Sequence, residues 1–199
     1  MHTKQIENTL KSINEHDLLT GFYNRGYFEN LVSDKISNRQ NKSEKIAILF
    51  LDIDSFKSIN IAVGYEGGDF VLKKISERII NILYPTTLIS RMEGDKFVIV
   101  TFEASIEEID SLILRINGVF ISPFLFEDNQ FTLTVSIGIC IFPDDGSSVS
   151  VLFKNAEIAM KESKETCQNS FKFYNPKMSE QATKRVKFEQ HLSSAIQRI

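Results

Sequence analysis

Ile46-Ala47-Ile48-Leu49-Phe50-Leu51 is an unbroken apolar run that ends abruptly in Asp52. A run this short and this apolar reads as a strand buried on both faces, so helices must cover it from two sides. The rest of the chain has to be arranged around it. Gly64, Gly67 and Gly68 mark a turn, and Phe70, Val71, Ile75, Ile79 and Ile80 follow at helical spacing to about Leu83, where Pro85 closes the helix. Thr87–Arg91 and Phe97–Phe102 are strand-like, and only Met92-Glu93-Gly94-Asp95-Lys96 separates them, as in a β-hairpin. A helix over Ile106–Phe120, a long alternating strand over Phe131–Phe142, a helix over Val149–Lys164 and an edge strand over Phe171–Tyr174 complete the order. This is the split β-α-β-β-α-β motif, a ferredoxin-like α/β (α+β) core with a central sheet of about five strands flanked by helices. Right-handed crossovers put the first strand in the middle, antiparallel to the third, with its C-terminal end beside the hairpin.

The flanks are helical. Ile6, Leu10 and Ile13 form one apolar stripe over residues 1–16, a second helix is expected over about 25–38, and a last one from about Met178 to Ile199. The expected division is a linker helix over 1–16, a domain over 17–175 and a C-terminal linker helix over 176–199. With 199 residues the chain can bury a core without disulfides or a structural metal. Its two cysteines, Cys140 and Cys167, read as reduced thiols of a cytoplasmic protein. No apolar stretch approaches the length of a membrane span, so this segment has no membrane contact of its own. The expected location is the cytoplasm, either free or as the cytoplasmic part of a larger membrane-bound sensor. A formal net charge of −3 argues against nucleic acid as a partner.

The strand order places Asp52 and Asp54 near Glu93 and Asp95 at one end of the sheet. Carboxylates gathered there raise one another's pKa unless something neutralises them. A hard cation does so, and Mg²⁺ commonly takes one or two carboxylates plus substrate phosphates. The alternative is that Asp52 and Asp54 are solvated loop carboxylates that open the next helix.

Four segments, in order, carry a resemblance. Asp17-Leu18-Leu19-Thr20-Gly21-Phe22-Tyr23-Asn24-Arg25 is similar to D-x-L-T-G-L-x-N-R, and Asp52-Ile53-Asp54-Ser55-Phe56-Lys57-Ser58-Ile59-Asn60 to D-x-D-x-F-K-x-x-N. Gly64-Tyr65-Glu66-Gly67-Gly68-Asp69 is similar to G-H-x-x-G-D, and Ser136-Ile137-Gly138 matches S-I-G. Over about residues 15–175 the chain resembles the GGDEF domain, the diguanylate cyclase family, whose core is of the nucleotide cyclase and palm type. That family joins two GTP molecules into cyclic di-GMP and two pyrophosphates across a homodimer. The resemblance implies Mg²⁺ or Mn²⁺ held by Asp52, the backbone carbonyl of Ile53 and Asp95. It implies Lys57 and Lys164 on the phosphates, and Asn60 and Asp69 on the guanine edge. Read without the resemblance, Asn60 and Asp69 are equally helix-capping residues and the two lysines ordinary surface residues.

The chain departs from the family at the hairpin, where Gly-Gly-Asp/Glu-Glu-Phe becomes Glu93-Gly94-Asp95-Lys96-Phe97. Glu93 replaces a glycine that lets backbone approach the ligand. Lys96 replaces an acid, a reversal of charge beside the metal ligands. Ile61, Tyr65 and Gln168 replace the usual Asp, His and Arg, and Tyr84-Pro85-Thr86-Thr87 lacks the R-x-x-D product-inhibition motif. The stretch from Tyr174 through Arg185, Phe188 and Glu189 resembles the helix that leads into an EAL domain, a cyclic di-GMP phosphodiesterase. Three functions follow as expectations: a non-catalytic domain that binds GTP or a partner and regulates an attached phosphodiesterase, a weakly active diguanylate cyclase, or a structural dimerisation module.

Overall fold

A computed structural model describes residues 14–40, 44–102 and 105–196, with the last helix followed by backbone alone at 186 and from 189 on. The expected apolar stripe at Ile6, Leu10 and Ile13 lies outside the described residues. The first named elements of the described chain are β1 (Tyr23–Asn24), α1 (Arg25–Ser37) and the central strand β2 (Ile46–Ile53). α2 (Phe56–Ile80) crosses to the hairpin strands β3 (Leu88–Glu93) and β4 (Lys96–Phe102), and α3 (Ile106–Ile121) follows. Then come β5 (Phe124–Phe126), β6 (Asn129–Phe131), β7 (Val135–Phe142), α4 (Val149–Thr166), β8 (Phe171–Phe173) and α5 (Pro176–Ile196).

The main sheet has six strands in the order β1-β3-β4-β2-β7-β8, and β5 pairs with β6 in a separate hairpin. Every residue of β2 is buried. Alternation along it divides the core. Ala47, Leu49, Leu51 and Ile53 pack under α2 and α3, while Ile46, Ile48 and Phe50 pack under α1 and α4. β2 is antiparallel to both β4 and β7, which brings the hairpin to its C-terminal end.

Three local differences from the sequence reading have physical causes. The sixth strand is the two-residue β1, which pairs parallel to β3 and is too short to leave a periodic signal. The segment Phe131–Phe142 is not one strand. Phe131 pairs back with Phe124, and the chain leaves the ladder at 132–134 so that Thr134 can reach Asp54. Of the glycines expected to form a turn, only Gly64 breaks the helix, at φ 74°. Gly67 and Gly68 lie inside α2, where a Cβ on Gly68 would run into the Asn60 side chain.

Candidate functional site

Asp52 sits near the end of β2 on the face that packs toward α4. Its register neighbours are Lys96 on β4 and Ser136 on β7. Side chains directly opposite on one face of a sheet interact, so Asp52 and Lys96 form a cross-strand pair of opposite charge. The hairpin turn is tied to the same strand end, because the Ile53 N–H donates to the Asp95 carbonyl at 3.3 Å. Burial, and then the neighbouring Asp52 carboxylate, push the Asp95 carboxyl above the usual range; Lys164 and Lys96 partly offset this.

α4 supplies the other half of the site. Lys164 forms an ion pair with Asp52. Further up the helix, Glu157 faces Lys96 at 3.7 Å and Lys161 at 2.9 Å. Lys96 also donates to Glu93 at 2.8 Å across the hairpin mouth. That hydrogen bond lowers the Glu93 carboxyl and raises the Lys96 ammonium from their ordinary values. The two residues that differ from the family pattern in the hairpin are therefore each other's partners.

Asp54 plays a different part from Asp52. It is 2% exposed and accepts from Thr134 Oγ1 at 2.7 Å, Ser136 Oγ at 2.7 Å and the Asn169 N–H at 3.0 Å. These donors satisfy it as a buried anchor that joins the end of β2 to the start of β7. Beyond it Ser55 takes a left-handed conformation at φ 59°, and α2 starts with no side-chain cap and no acidic residue in its first turn. Such a helix start suits an anion. Lys57 is exposed on that turn, Asn60 is half-buried against Gly68, and Asp69 is exposed next to Gly68. The structure thus gathers Asp52, Ile53, Asp95, Lys96 and Lys164 at one strand end, with Lys57, Asn60 and Asp69 along the adjoining helix. Lys164, expected on the phosphates, pairs with the Asp52 carboxylate.

Sequence reasoning missed two supports. Arg91 donates twice to the Gly94 carbonyl, at 2.9 and 2.8 Å, and pairs with Asp17 at 3.2 Å. Burial by itself would raise the Asp17 carboxyl, but bonds from Thr20 and the Arg91 charge outweigh it and hold it below the usual range. Glu157 is the second; it had no signal, since a lone acid on an amphipathic helix reads as surface. For Arg91 the signal was an arginine at the end of an expected strand, next to the hairpin.

The donor set limits what metal the site can take. Among the described residues no three His, Cys, Asp or Glu side chains converge on one point. Asp52, Asp95 and the Ile53 carbonyl fall short of a two-ion site, and Lys164 already neutralises Asp52. These residues do not fit the pair of ions that an in-line phosphoryl displacement uses.

The family described as "Diguanylate cyclase, GGDEF domain" matches residues 14–170. This chain belongs to the GGDEF family. Among curated proteins, the cyclic di-GMP phosphodiesterase NbdA of Pseudomonas aeruginosa is 30% identical over 188 residues, covering 94% of this chain and 24% of NbdA. The bifunctional diguanylate cyclase/cyclic di-GMP phosphodiesterase MucR of the same organism is 28% identical, covering 92% of this chain and 27% of MucR. Among solved structures, the GGDEF domain of TpbB (YfiN) of P. aeruginosa superposes with a TM-score of 0.80 at 28% identity, covering 85% of this chain and 99% of that one. The GGDEF domain described here spans about a quarter of the length of these two curated relatives. Family and relatives together place it in cyclic di-GMP signalling. No helix among its described residues is long and apolar enough to cross a membrane.

Proposed function

We propose that this GGDEF domain is a non-catalytic, cytoplasmic module that holds GTP and regulates an attached or partnering EAL-type phosphodiesterase. One observation carries the reading: at the strand end where cyclase chemistry would need free acids, Asp52 is paired with Lys164 and faces Lys96 in register. Joining two GTP molecules requires a 3′-hydroxyl to lose its proton while negative charge grows on the attacked phosphate. An ammonium at position 96 can bind a phosphate oxygen but cannot accept that proton. Binding functions survive better. Lys57 and the start of α2 face the phosphates, and Asn60 and Asp69 offer an acceptor and donor set for the guanine edge, a carboxylate at Asp69 suiting the guanine N1 and N2 hydrogens. The likeness to NbdA and MucR, whose names record phosphodiesterase activity, supports a phosphodiesterase as the regulated partner.

A second reading, a slow diguanylate cyclase working as a homodimer, is favoured by the nearness of Asp95 to Asp52. Prolonged incubation of concentrated protein with GTP and Mg²⁺ or Mn²⁺, resolved by anion-exchange chromatography, separates the two. The expected result is unchanged GTP. A cyclic di-GMP peak that Asp52→Ala abolishes would make the protein an enzyme despite Glu93 and Lys96.

A further inference from the structure

Phosphate sites that recruit a divalent cation do so because their carboxylates leave an unmet negative charge. In this domain side chains meet it. Lys164 sits on Asp52, Lys96 stands opposite Asp52 and close to Glu157, and Lys161 holds Glu157 at 2.9 Å. Asp52 and Glu157 thus have Lys164 and Lys161 as ion-pair partners, and the charges of Lys164 and Lys96 act on Asp95 as well. The remaining acid of the cluster, Glu93, has a side chain 66% exposed, where water screens its charge. A dication entering between Asp52 and Asp95 would be repelled by both Lys164 and Lys96. An anion would not, and Lys96 can turn from Glu93 to a phosphate because the partner it leaves is solvated.

We infer that this site binds a nucleoside triphosphate without needing a divalent cation, with Lys164 and Lys96 supplying the positive charge that an ion would bring and Lys57 assisting from α2. The inference rests on the reading that this end of the sheet holds a nucleotide. It adds how the phosphates are neutralised. It also gives Lys96 a use: the lysine supplies a cation that belongs to the chain.

The test is an equilibrium titration of the whole chain with the fluorescent analogue mant-GTP, in excess EDTA and again in millimolar Mg²⁺. The two dissociation constants are expected to agree within about threefold. Lys164→Gln is expected to weaken the EDTA titration by about tenfold, and Mg²⁺ to recover part of that loss, because Asp52 then lacks its counter-charge. Circular dichroism on the variant separates a binding effect from unfolding. Binding seen only with Mg²⁺ overturns the inference and leaves the nucleotide reading standing. Equal constants that Lys164→Gln leaves unchanged overturn the role given to the lysine. No binding under either condition overturns the nucleotide reading itself, and the inference with it.

Discussion

Arg91 and Asp17 show how much of the site depends on residues that touch no ligand. The guanidinium is shared between the Gly94 carbonyl and the Asp17 carboxylate, so it fixes the hairpin turn to the segment before α1. The Asp17 carboxyl is held below its ordinary value, so its stabilising effect is present above about pH 4 and is lost as pH falls through the depressed value. Asp17→Asn keeps an acceptor for Thr20 but removes the charge that Arg91 uses. A partly buried pair of this kind contributes about 1 kcal/mol, or roughly 2–4 °C of melting temperature in a chain of this size. The melting temperature of Asp17→Asn is expected to lie below that of the unchanged protein at pH 7, and the difference to shrink as pH falls below about 4 through the depressed value. Asp95, whose carboxyl is raised, loses an unfavourable charge as pH falls, but it does so in both proteins and drops out of the difference. A gap that does not depend on pH would show that the charge of Asp17 is not its source. At this scale the sequence identified the carboxylates but not their partners. Asp52 and Asp54 look alike on paper, and only the third dimension gives one a lysine and the other three neutral donors.

Among the elements, α4 does the most to set the site, and β7 sets α4. Gly138 lies directly beneath the helix; a Cβ there would meet the Ala156 carbonyl oxygen and the Met160 nitrogen, both backbone atoms that cannot rotate away. The helix can approach the sheet closely only over a glycine. Gly138→Ala must lift α4, which carries Glu157 and Lys164. Overpacking of this type costs about 1–3 kcal/mol, so a fall of several degrees in melting temperature is expected. Affinity for nucleotide should fall as well, since the lysine on Asp52 moves with the helix. Unchanged stability would mean that the sheet, rather than the helix, yields. Elements with strong periodicity were readable from the sequence: β2, the hairpin strands, α3 and α4. The β5–β6 hairpin was not, because Phe131 continues the alternation of β7 in sequence while its pairing partner, Phe124, belongs to another turn of chain.

Across the whole molecule the topology was deducible, since one fully apolar strand and a right-handed crossover rule leave little choice about the centre of the sheet. The relation of the ends to the site was not, because it depends on which face of α4 each neighbour uses. α5 is attached to that helix and to Tyr174, just past β8. Met178 is buried, the Tyr174 hydroxyl meets Ser179 Oγ at 2.8 Å, and Arg185 pairs with Glu165 and lies 3.9 Å from Glu162. α4 therefore joins Lys164 and Glu157, at the strand-end cluster, to the C-terminal helix α5. Deleting residues 176–199 exposes the ground under Met178 but removes no strand and no residue of the site. Losing a buried methionine costs about 2 kcal/mol at the low end, and the exposed ion pairs of Arg185 add little. The shortened chain is expected to fold cooperatively with a melting temperature about 4–8 °C lower. Its affinity for nucleotide should stay close to that of the full chain, because Asp52, Lys96 and Lys164 keep their positions without α5. Loss of cooperative unfolding in a thermal melt would show instead that α5 is part of the core. A large loss of affinity with the fold intact would show that α5 presses α4 into the position from which Lys164 reaches Asp52.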